Sequence, residues 1–167
     1  MAQVYLGLGS NIDPGKYLSL GIRELSRRFG TLELSNIYSS KPVGFNGDDF
    51  LNLVVGLETE ASPQEIHGVI EELHVLANRR RNETRFSSRT LDIDLLLYDD
   101  LVINDGVIHV PREDILEYSF VLGPLAEIAP EVEHPLTGKR IADHWAEFDK
   151  NSQPLALARI DSDDVSD

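Results

Sequence analysis

Two aspartates separated by a single residue are the sharpest chemical signal in the sequence. Asp92 and Asp94 lie in the segment RTLDIDLLLY, whose apolar residues favour a β-strand. Residues two apart on a strand face the same side at about 6.6 Å, so both carboxylates project from one face while Leu91, Ile93 and Leu95 pack inward. Two such charges repel by roughly 2.5 kcal/mol at an effective dielectric constant of about 20. The pair predicts a site for a hard dication such as Mg²⁺, which also binds phosphate oxygens; a solvated strand face is the alternative.

Five arginines directly precede the aspartates: Arg79, Arg80, Arg81, Arg85 and Arg89. The rest of the chain is strongly acidic, with 29 acidic and 15 basic residues in total and a formal charge of −14. Guanidinium groups hold phosphate oxygens in paired hydrogen bonds, so this cluster indicates a polyphosphate that carries Mg²⁺. As an alternative, the first three arginines interact with the C-terminal dipole of a preceding helix, which leaves Arg85 and Arg89 without a role.

The composition and the remaining motifs exclude several other classes of protein. A charge of −14 opposes nucleic-acid binding, and no apolar run approaches the roughly 18 residues of a membrane span. The chain has no cysteine, which excludes disulfides and thiol chemistry. Gly7 and Gly9 complete neither a dinucleotide nor a Walker motif, and the histidines lack the spacing of a zinc site. Because the start also lacks the pattern of a signal peptide, we expect a cytoplasmic protein.

Hydrophobic periodicity predicts the elements that position the aspartates. Alternating apolar residues predict strands at residues 3–9, 32–40, 50–58, 91–98 and 107–110. Apolar spacings of three and four predict helices at residues 13–30, 62–77, 120–128 and 141–148. The first helix is expected to begin at Asp13 and Pro14, and the second at a capping box formed by Ser62 and Glu65.

The order βαββαβ followed by helices predicts an α+β protein with a ferredoxin-like plait. We expect a largely antiparallel sheet with the two long helices on one side, its other face open for a ligand, and a helical C-terminal extension. Residues 1–150 are expected to form a single domain. Residues 151–167 are expected to form a tail, with an edge strand at residues 155–160 before a disordered acidic end.

Several segments resemble one enzyme family, in that family's order. LGLGSNI, SSKPVG followed by FLNLVV, the arginine-rich stretch leading into RTLDIDLLLY, and FVLGPLAEIAPE are similar to 6-hydroxymethyl-7,8-dihydropterin pyrophosphokinases of folate biosynthesis. The resemblance covers residues 3–148, and RTLDIDLLLY is its most specific part. It implies transfer of pyrophosphate from ATP to the hydroxymethyl oxygen of the pterin, with two Mg²⁺ ions and with AMP as the second product.

The resemblance also implies which residues bind the metal and the pterin. Asp92 and Asp94 match the metal ligands. The positions that match the pterin-binding residues are Val43, Gly44, Phe50, Asn52 and Phe120. Of these, the two phenylalanines enclose the flat ring and the asparagine hydrogen-bonds its polar edge. Without the resemblance, ordinary core packing would be the simpler interpretation of both aromatic rings.

The arginine-rich stretch matches the basic positions around the triphosphate. The catalytic set implied in this way is Arg79, Arg81, Arg85 and Arg89. The set implied to bind the nucleotide is Arg81, Arg89, His109 and Arg112. Loops at residues 41–49 and 82–88 are expected to close over the substrates, and Phe86 stands where the family usually has tryptophan.

The chain departs from the family pattern around the nucleotide. Arg112 and Glu113 replace a histidine-containing pair that usually follows Val-Pro, and Tyr118 stands where an arginine is usual. His74 and Asn78 fall where glutamate and glycine are usual. Arg112 can replace the lost positive charge, but its longer fork does not reproduce the geometry of an imidazole. The sequence therefore leaves open whether ATP affinity and turnover are preserved.

A monomeric, Mg²⁺-dependent pterin pyrophosphokinase is the leading hypothesis. Three alternatives remain open: a divergent paralogue that acts on another pterin-like alcohol, a non-catalytic pterin- or nucleotide-binding regulator, and an acidic ferredoxin-like interaction module. Formation of AMP from ATP and the pterin is the direct test of the leading hypothesis, and a substrate panel identifies a paralogue that acts on another alcohol. Pterin binding without turnover would indicate the regulator, and absence of any small-molecule binding would indicate the interaction module.

Overall fold

One large antiparallel sheet organises the protein, for which a computed structural model describes residues 1–78 and 88–160. Its strands are β1 (Ala2–Ser10), β2 (Glu33–Leu34), β3 (Ile37–Ser40), β4 (Phe50–Thr59), β5 (Asp92–Tyr98) and β8 (Ala156–Ala158). The strand order is β5-β1-β4-β3-β8, with β2 also paired to β4, and every pairing is antiparallel. The predicted ferredoxin-like plait is confirmed.

Two long helices, α1 (Pro14–Phe29) and α2 (Pro63–Leu76), cover one face of the sheet. The predicted capping box starts α2: the Glu65 N–H donates to Ser62 Oγ at 3.1 Å, and the Ser62 N–H donates to the Glu65 carboxylate at 3.0 Å. Asp13 precedes α1 as predicted, but its side chain makes no capping hydrogen bond, because its backbone is left-handed, with φ 45°. Alternate residues of the strands pack against these helices, including Val4, Leu6, Leu8, Leu53 and Val55.

The opposite face of the sheet is only partly open. A third helix, α4 (Ser119–Ile128), packs there against Tyr5, Val54 and Leu96, so only part of the face that was expected to be open for a ligand is uncovered. These apolar side chains would otherwise be exposed to water, which explains why a helix covers them. Further along β1 the same face carries Gly7 and Gly9, which offer no side chain for α4 to cover. The uncovered part of this face is therefore a cleft floored by glycine.

Three local features differ from the predicted elements. The expected strand 32–40 is broken between β2 and β3, because Ser35 Oγ accepts the Val54 N–H at 2.9 Å in place of a regular ladder bond. The returning strand is only β7 (His109–Val110), which pairs with β6 (Ile103–Asn104) in a separate small sheet. A short helix, α3 (Asp114–Glu117), precedes α4 and was not predicted.

The C-terminal extension contains α5 (Ile141–Glu147) and β8, which pairs with β3 inside the segment expected to hold an edge strand. Gln153 ties this segment to the start of α4: its Oε1 accepts the Ser119 N–H at 3.0 Å, and its carbonyl accepts the Ser119 hydroxyl at 2.7 Å. The acidic end, residues 161–167, lies outside the described residues. Within residues 1–78 and 88–160, no helix is long and apolar enough to cross a membrane.

Candidate active site

Both aspartates project from the uncovered part of the sheet. In β5 the residues alternate: Leu91, just before the strand, and Ile93 are buried in the core beneath α1 and α2, whereas Asp92 and Asp94 are half-buried on the opposite face. In the register with β1, Asp92 pairs with Gly9 and Asp94 with Gly7. The two carboxylates therefore share one face, as their spacing predicts.

Gly9 brings the aspartates and Asn52 to the same patch of sheet. It pairs with Asp92 on one side and with Asn52 on the other. The Asn52 amide is buried, and its Nδ2 donates to Ser40 Oγ at 2.8 Å, which fixes the orientation of the amide. A Cβ at position 9 would lie 2.9 Å from Asn52 Oδ1. Glycine is thus required at position 9 because the Asn52 side chain lies close to the backbone of β1, and not because the position binds phosphate.

Aromatic side chains line a cleft above this floor. Its walls include Val43, Phe45, Phe50, Tyr118 and Phe120, with Asn52 at its base. Phe45 meets Phe50 edge-on, with 6.3 Å between ring centroids, and Tyr118 stacks on Phe120 at 5.0 Å. Of the five predicted pterin-binding residues, only Gly44 is absent from the cleft lining; its φ of 78° turns the loop instead. Phe45 and Tyr118 were not among the predicted residues.

A second, more polar cleft of about 450 Å³ lies on the other side of the aspartates. It is lined by His67, Glu71, His74, Val107 and His109 among others. His74 is buried, and its Nε2 accepts the Ile93 N–H at 3.0 Å, which supports the backbone of β5 between the two aspartates. The predicted nucleotide-binding residue His109 lies with its Nε2 3.7 Å from a Glu113 carboxylate oxygen.

The two clefts meet at the predicted metal and phosphate residues. Arg89, Asp92, Asp94 and Arg112 line both of them. A molecule in the aromatic cleft and one in the polar cleft would therefore approach each other beside two carboxylates and two guanidinium groups. This is an arrangement for joining a flat ring compound to an anionic group.

Arg112 reaches the aspartates from the segment before α3. Its Nη2 lies 3.4 Å from Asp94 Oδ1, and its Nε lies 3.6 Å from Asp114 Oδ2. Burial lowers the pKa of this guanidinium, but attraction by Asp94, Asp114 and Asp92 outweighs burial and leaves the pKa raised above its ordinary value. Arg112 is therefore a permanent cation of the site. Its contact with Asp94 was not predicted from the sequence.

Arg89 is 4% exposed and is held through its backbone by Asn11. Asn11 Oδ1 accepts the Arg89 N–H at 2.8 Å, and the Arg89 carbonyl accepts the Asn11 N–H at 3.0 Å. Asn11 Nδ2 also donates to the Asp48 carbonyl at 3.0 Å. One buried asparagine, which directly follows β1, thus contacts two other segments: Arg89, which precedes β5, and the 41–49 loop. The sequence marks this position only as part of a Gly-Ser-Asn turn.

Replacing Asn11 by alanine should lower the free energy of unfolding by about 2 kcal/mol, because the buried Arg89 N–H would lose its hydrogen-bond acceptor and the Asp48 carbonyl would lose its donor. Urea denaturation measures the change. The exposed Asn151 supplies the control, since Asn151→Ala should stay within about 0.5 kcal/mol of wild type. Equal effects of the two substitutions would show that Asn11 does not hold these segments together.

Substituting Gly9 by alanine should weaken binding of the expected pterin about 10-fold in Kd, equivalent to about 1.4 kcal/mol, because the added methyl group displaces the Asn52 amide. Isothermal titration calorimetry would measure the change. Gly68 on α2 has open space around its missing Cβ, so Gly68→Ala is the matched control and should leave the Kd unchanged. An unchanged Kd in the Gly9 variant would contradict the expected role of Asn52 in ring recognition.

Several of the predicted residues lie outside the described residues: Arg79, Arg81 and Arg85, together with Arg80 and Phe86, and most of the predicted 82–88 loop. Among the residues that are described, no group of three or more His, Asp or Glu side chains is arranged to hold a metal ion. Any metal held by Asp92 and Asp94 would take its other ligands from water or from a substrate, as Mg²⁺ commonly does.

Sequence comparison identifies relatives that match most of the chain. A family model described as 7,8-dihydro-6-hydroxymethylpterin-pyrophosphokinase (HPPK) matches residues 5–130. The 2-amino-4-hydroxy-6-hydroxymethyldihydropteridine pyrophosphokinase of Aquifex aeolicus is 37% identical over 145 residues, which are 86% of this chain and 90% of that protein. The protein of the same name from Methylorubrum extorquens is 33% identical over 165 residues, covering 96% of this chain and 100% of the relative.

Solved structures agree with the fold. The crystal structure of Plasmodium falciparum HPPK-DHPS with SDX-DHP superposes with a TM-score of 0.70 at 13% identity, covering 88% of this chain and 43% of that longer chain. At this identity the likeness shows a common fold, whereas the family model and the relatives above show common descent. The chain therefore belongs to the 7,8-dihydro-6-hydroxymethylpterin-pyrophosphokinase family and is an ATP-dependent pyrophosphokinase of folate biosynthesis.

Proposed function

We propose that the chain transfers the pyrophosphoryl group of ATP to the hydroxymethyl oxygen of 6-hydroxymethyl-7,8-dihydropterin, with Mg²⁺ at Asp92 and Asp94. The observation that carries this proposal is the junction of two clefts at Arg89, Asp92, Asp94 and Arg112. One cleft is aromatic and suits a flat heterocycle, and the other is polar and opens beside the same charged residues.

In this proposal the aromatic cleft binds the pterin. Phe50 and Phe120 would contact the faces of the ring, and Asn52, oriented by Ser40, would hydrogen-bond its polar edge. Val43 and Gly44 belong to the neighbouring loop. These contacts would bring the hydroxymethyl group toward the carboxylate end of the cleft, where the donor phosphates would lie.

Asp92 and Asp94 are the residues that would hold Mg²⁺, of which two ions are expected. Their donor set fits this ion, since it consists of half-buried carboxylate oxygens, and within residues 1–78 and 88–160 no third His, Asp or Glu is grouped with them to hold a metal. Bound Mg²⁺ would polarise the transferred phosphoryl group and would neutralise charge on the phosphates. The carboxylates orient the donor by holding the ions that its oxygens bind.

The arginines would stabilise the charge that develops on the phosphates. Arg89 and Arg112 lie at the junction, and Arg79, Arg81 and Arg85 are proposed to contact the triphosphate, with His109 in the nucleotide cleft. The pterin oxygen attacks the β-phosphorus in line, the bond from that phosphorus to the AMP oxygen breaks, and the hydroxyl proton leaves to water. Catalysis is then a matter of positioning and electrostatics, with no covalent enzyme intermediate.

The same proposal covers the organisation of the protein. Residues 1–150 would form the catalytic domain, and residues 151–167 would be an appended tail. The enzyme would act as a cytoplasmic monomer on small molecules, and its charge of −14 disfavours nucleic acid as a further ligand.

Direct measurement of AMP tests the proposal. We expect AMP to form when the protein is mixed with ATP, Mg²⁺ and 6-hydroxymethyl-7,8-dihydropterin, and we expect chelation of the metal to stop the reaction. Absence of AMP above background, from folded protein with both substrates at saturation, would reject the proposed function.

A further inference from the structure

The guanidinium of Arg112 occupies the position of a cation at the proposed metal ligand. It lies 3.4 Å from an oxygen of Asp94 and 3.6 Å from an oxygen of Asp114, and Asp92 adds to the attraction. A divalent cation bound to Asp94 would meet this group at close range. Two cations on one carboxylate repel, so the side chain and the metal ion cannot both keep this contact without cost.

The contacts of Arg112 hold the guanidinium near the carboxylates without fixing it. Charge-assisted hydrogen bonds between guanidinium and carboxylate groups are about 2.7–2.9 Å long. Both distances at Arg112 are longer, and its side chain retains 34% of its exposure. The backbone, by contrast, is anchored, since the Arg112 N–H donates to the Leu96 carbonyl of β5 at 3.0 Å. The side chain can therefore swing while its base stays beside Asp94.

The direction of such a movement follows from the clefts. Arg112 lines both the aromatic cleft and the polar cleft, so a displaced guanidinium remains where the phosphates are proposed to bind. A guanidinium binds phosphate oxygens at least as readily as it binds carboxylate oxygens. Loss of the contact with Asp94 would thus be compensated once a nucleotide is present, but not when the metal ion binds alone.

We propose that Arg112 is an internal counter-ion of Asp94 that a divalent cation must displace, so that the free protein binds the metal weakly and a nucleotide strengthens that binding. The inference rests on the proposed assignment of Asp92 and Asp94 as metal ligands, but it does not depend on turnover. It assigns to Arg112 two successive anionic contacts, first a carboxylate and then the phosphates.

Titration of the nucleotide-free protein with Mn²⁺, followed by the electron paramagnetic resonance signal of the unbound ion, tests this assignment. Arg112→Gln removes the charge, and we expect it to lower the Kd for Mn²⁺ at least 10-fold. Arg112→Lys keeps the charge and should stay within about threefold of wild type. The control is Arg140→Gln, which removes an equal charge from a pair with Asp143 and Glu131 away from the clefts and should leave the Kd unchanged.

A second titration uses α,β-methylene-ATP in the presence of Mn²⁺. The expected effect on this ligand is the opposite of the effect on Mn²⁺: Arg112→Gln should weaken binding of the nucleotide analogue about 10-fold. A purely structural role of Arg112 would weaken both ligands together. The inference is overturned if Arg112→Gln leaves the Kd for Mn²⁺ within twofold of wild type or raises it, or if neither protein binds Mn²⁺. Tighter Mn²⁺ binding by Arg112→Gln in a protein that forms no AMP would instead leave the inference standing and reject the proposed function.

Discussion

Replacing Asp92 or Asp94 by asparagine should lower kcat for AMP formation about 10³-fold or more, which corresponds to about 4 kcal/mol of transition-state stabilisation. Asparagine keeps the size of the side chain and one oxygen but loses the charge that would hold Mg²⁺. The fold should survive, because both carboxylates are half-buried at the cleft rather than in the core. Initial rates of AMP formation measure the effect, and circular dichroism confirms the fold.

A matched control comes from the end of the same strand. Asp100 is exposed in the turn that follows β5, so Asp100→Asn removes one negative charge without touching either cleft and should retain wild-type kcat. Comparison with this variant separates loss of a ligand from loss of overall charge. Near-normal turnover in both the Asp92 and the Asp94 variants would remove the metal assignment, even if the protein proved to be a pyrophosphokinase.

Local sequence rules predicted the parts of the site that depend on a single element. Alternation along β5 places Asp92 and Asp94 on one face, because successive side chains of a strand point to opposite faces of the sheet. The start of α2 was predicted for a similar reason, since the capping box at Ser62 and Glu65 is formed by residues only three apart. In both cases the residues that carry the sequence pattern are the same few residues that form the predicted feature.

Contacts between distant segments were beyond these rules. The ion pair of Arg112 with Asp94 depends on the Leu96 carbonyl, which accepts the Arg112 N–H after the chain has passed through a separate small sheet. Asn11 joins three segments, and the sequence shows it only as a turn residue. The packing of α4 on Tyr5 and Val54 was not predicted, because an apolar helix can pack on either face of a sheet.

The glycines of β1 explain why the cleft lies beside the first turn of α4. Tyr5 on this face needs apolar cover, whereas Gly7 and Gly9, two and four residues further along the strand, leave space above the sheet. The same change lets Asn52 and Asp92 approach Gly9 from the two neighbouring strands. The change from tyrosine to glycine along β1 therefore determines both how far the apolar packing beneath α4 extends and where the floor of the site lies.

Substituting Arg89 by glutamine should lower kcat/KM for ATP about 10²-fold to 10³-fold, the usual cost of removing one preorganised electrostatic contact. Arg89 is the member of the predicted catalytic arginines that the structure describes, and it lies at the junction of the clefts. Asn11 holds it through backbone atoms, so the substitution leaves that anchor in place. Steady-state kinetics with varied ATP measures the change.

Two further variants show whether the effect belongs to the guanidinium of Arg89. Arg89→Lys keeps the charge but not the paired hydrogen-bond geometry, so it should recover only part of the activity and remain about 10-fold below wild type. Arg159→Gln removes an exposed arginine next to β8 and should have no effect on kcat/KM. Because Arg89 is buried, urea denaturation must show that each variant is folded under assay conditions. Wild-type kcat/KM in folded Arg89→Gln would place the phosphate contacts on other arginines and would leave Arg89 as a structural cation beside the aspartates.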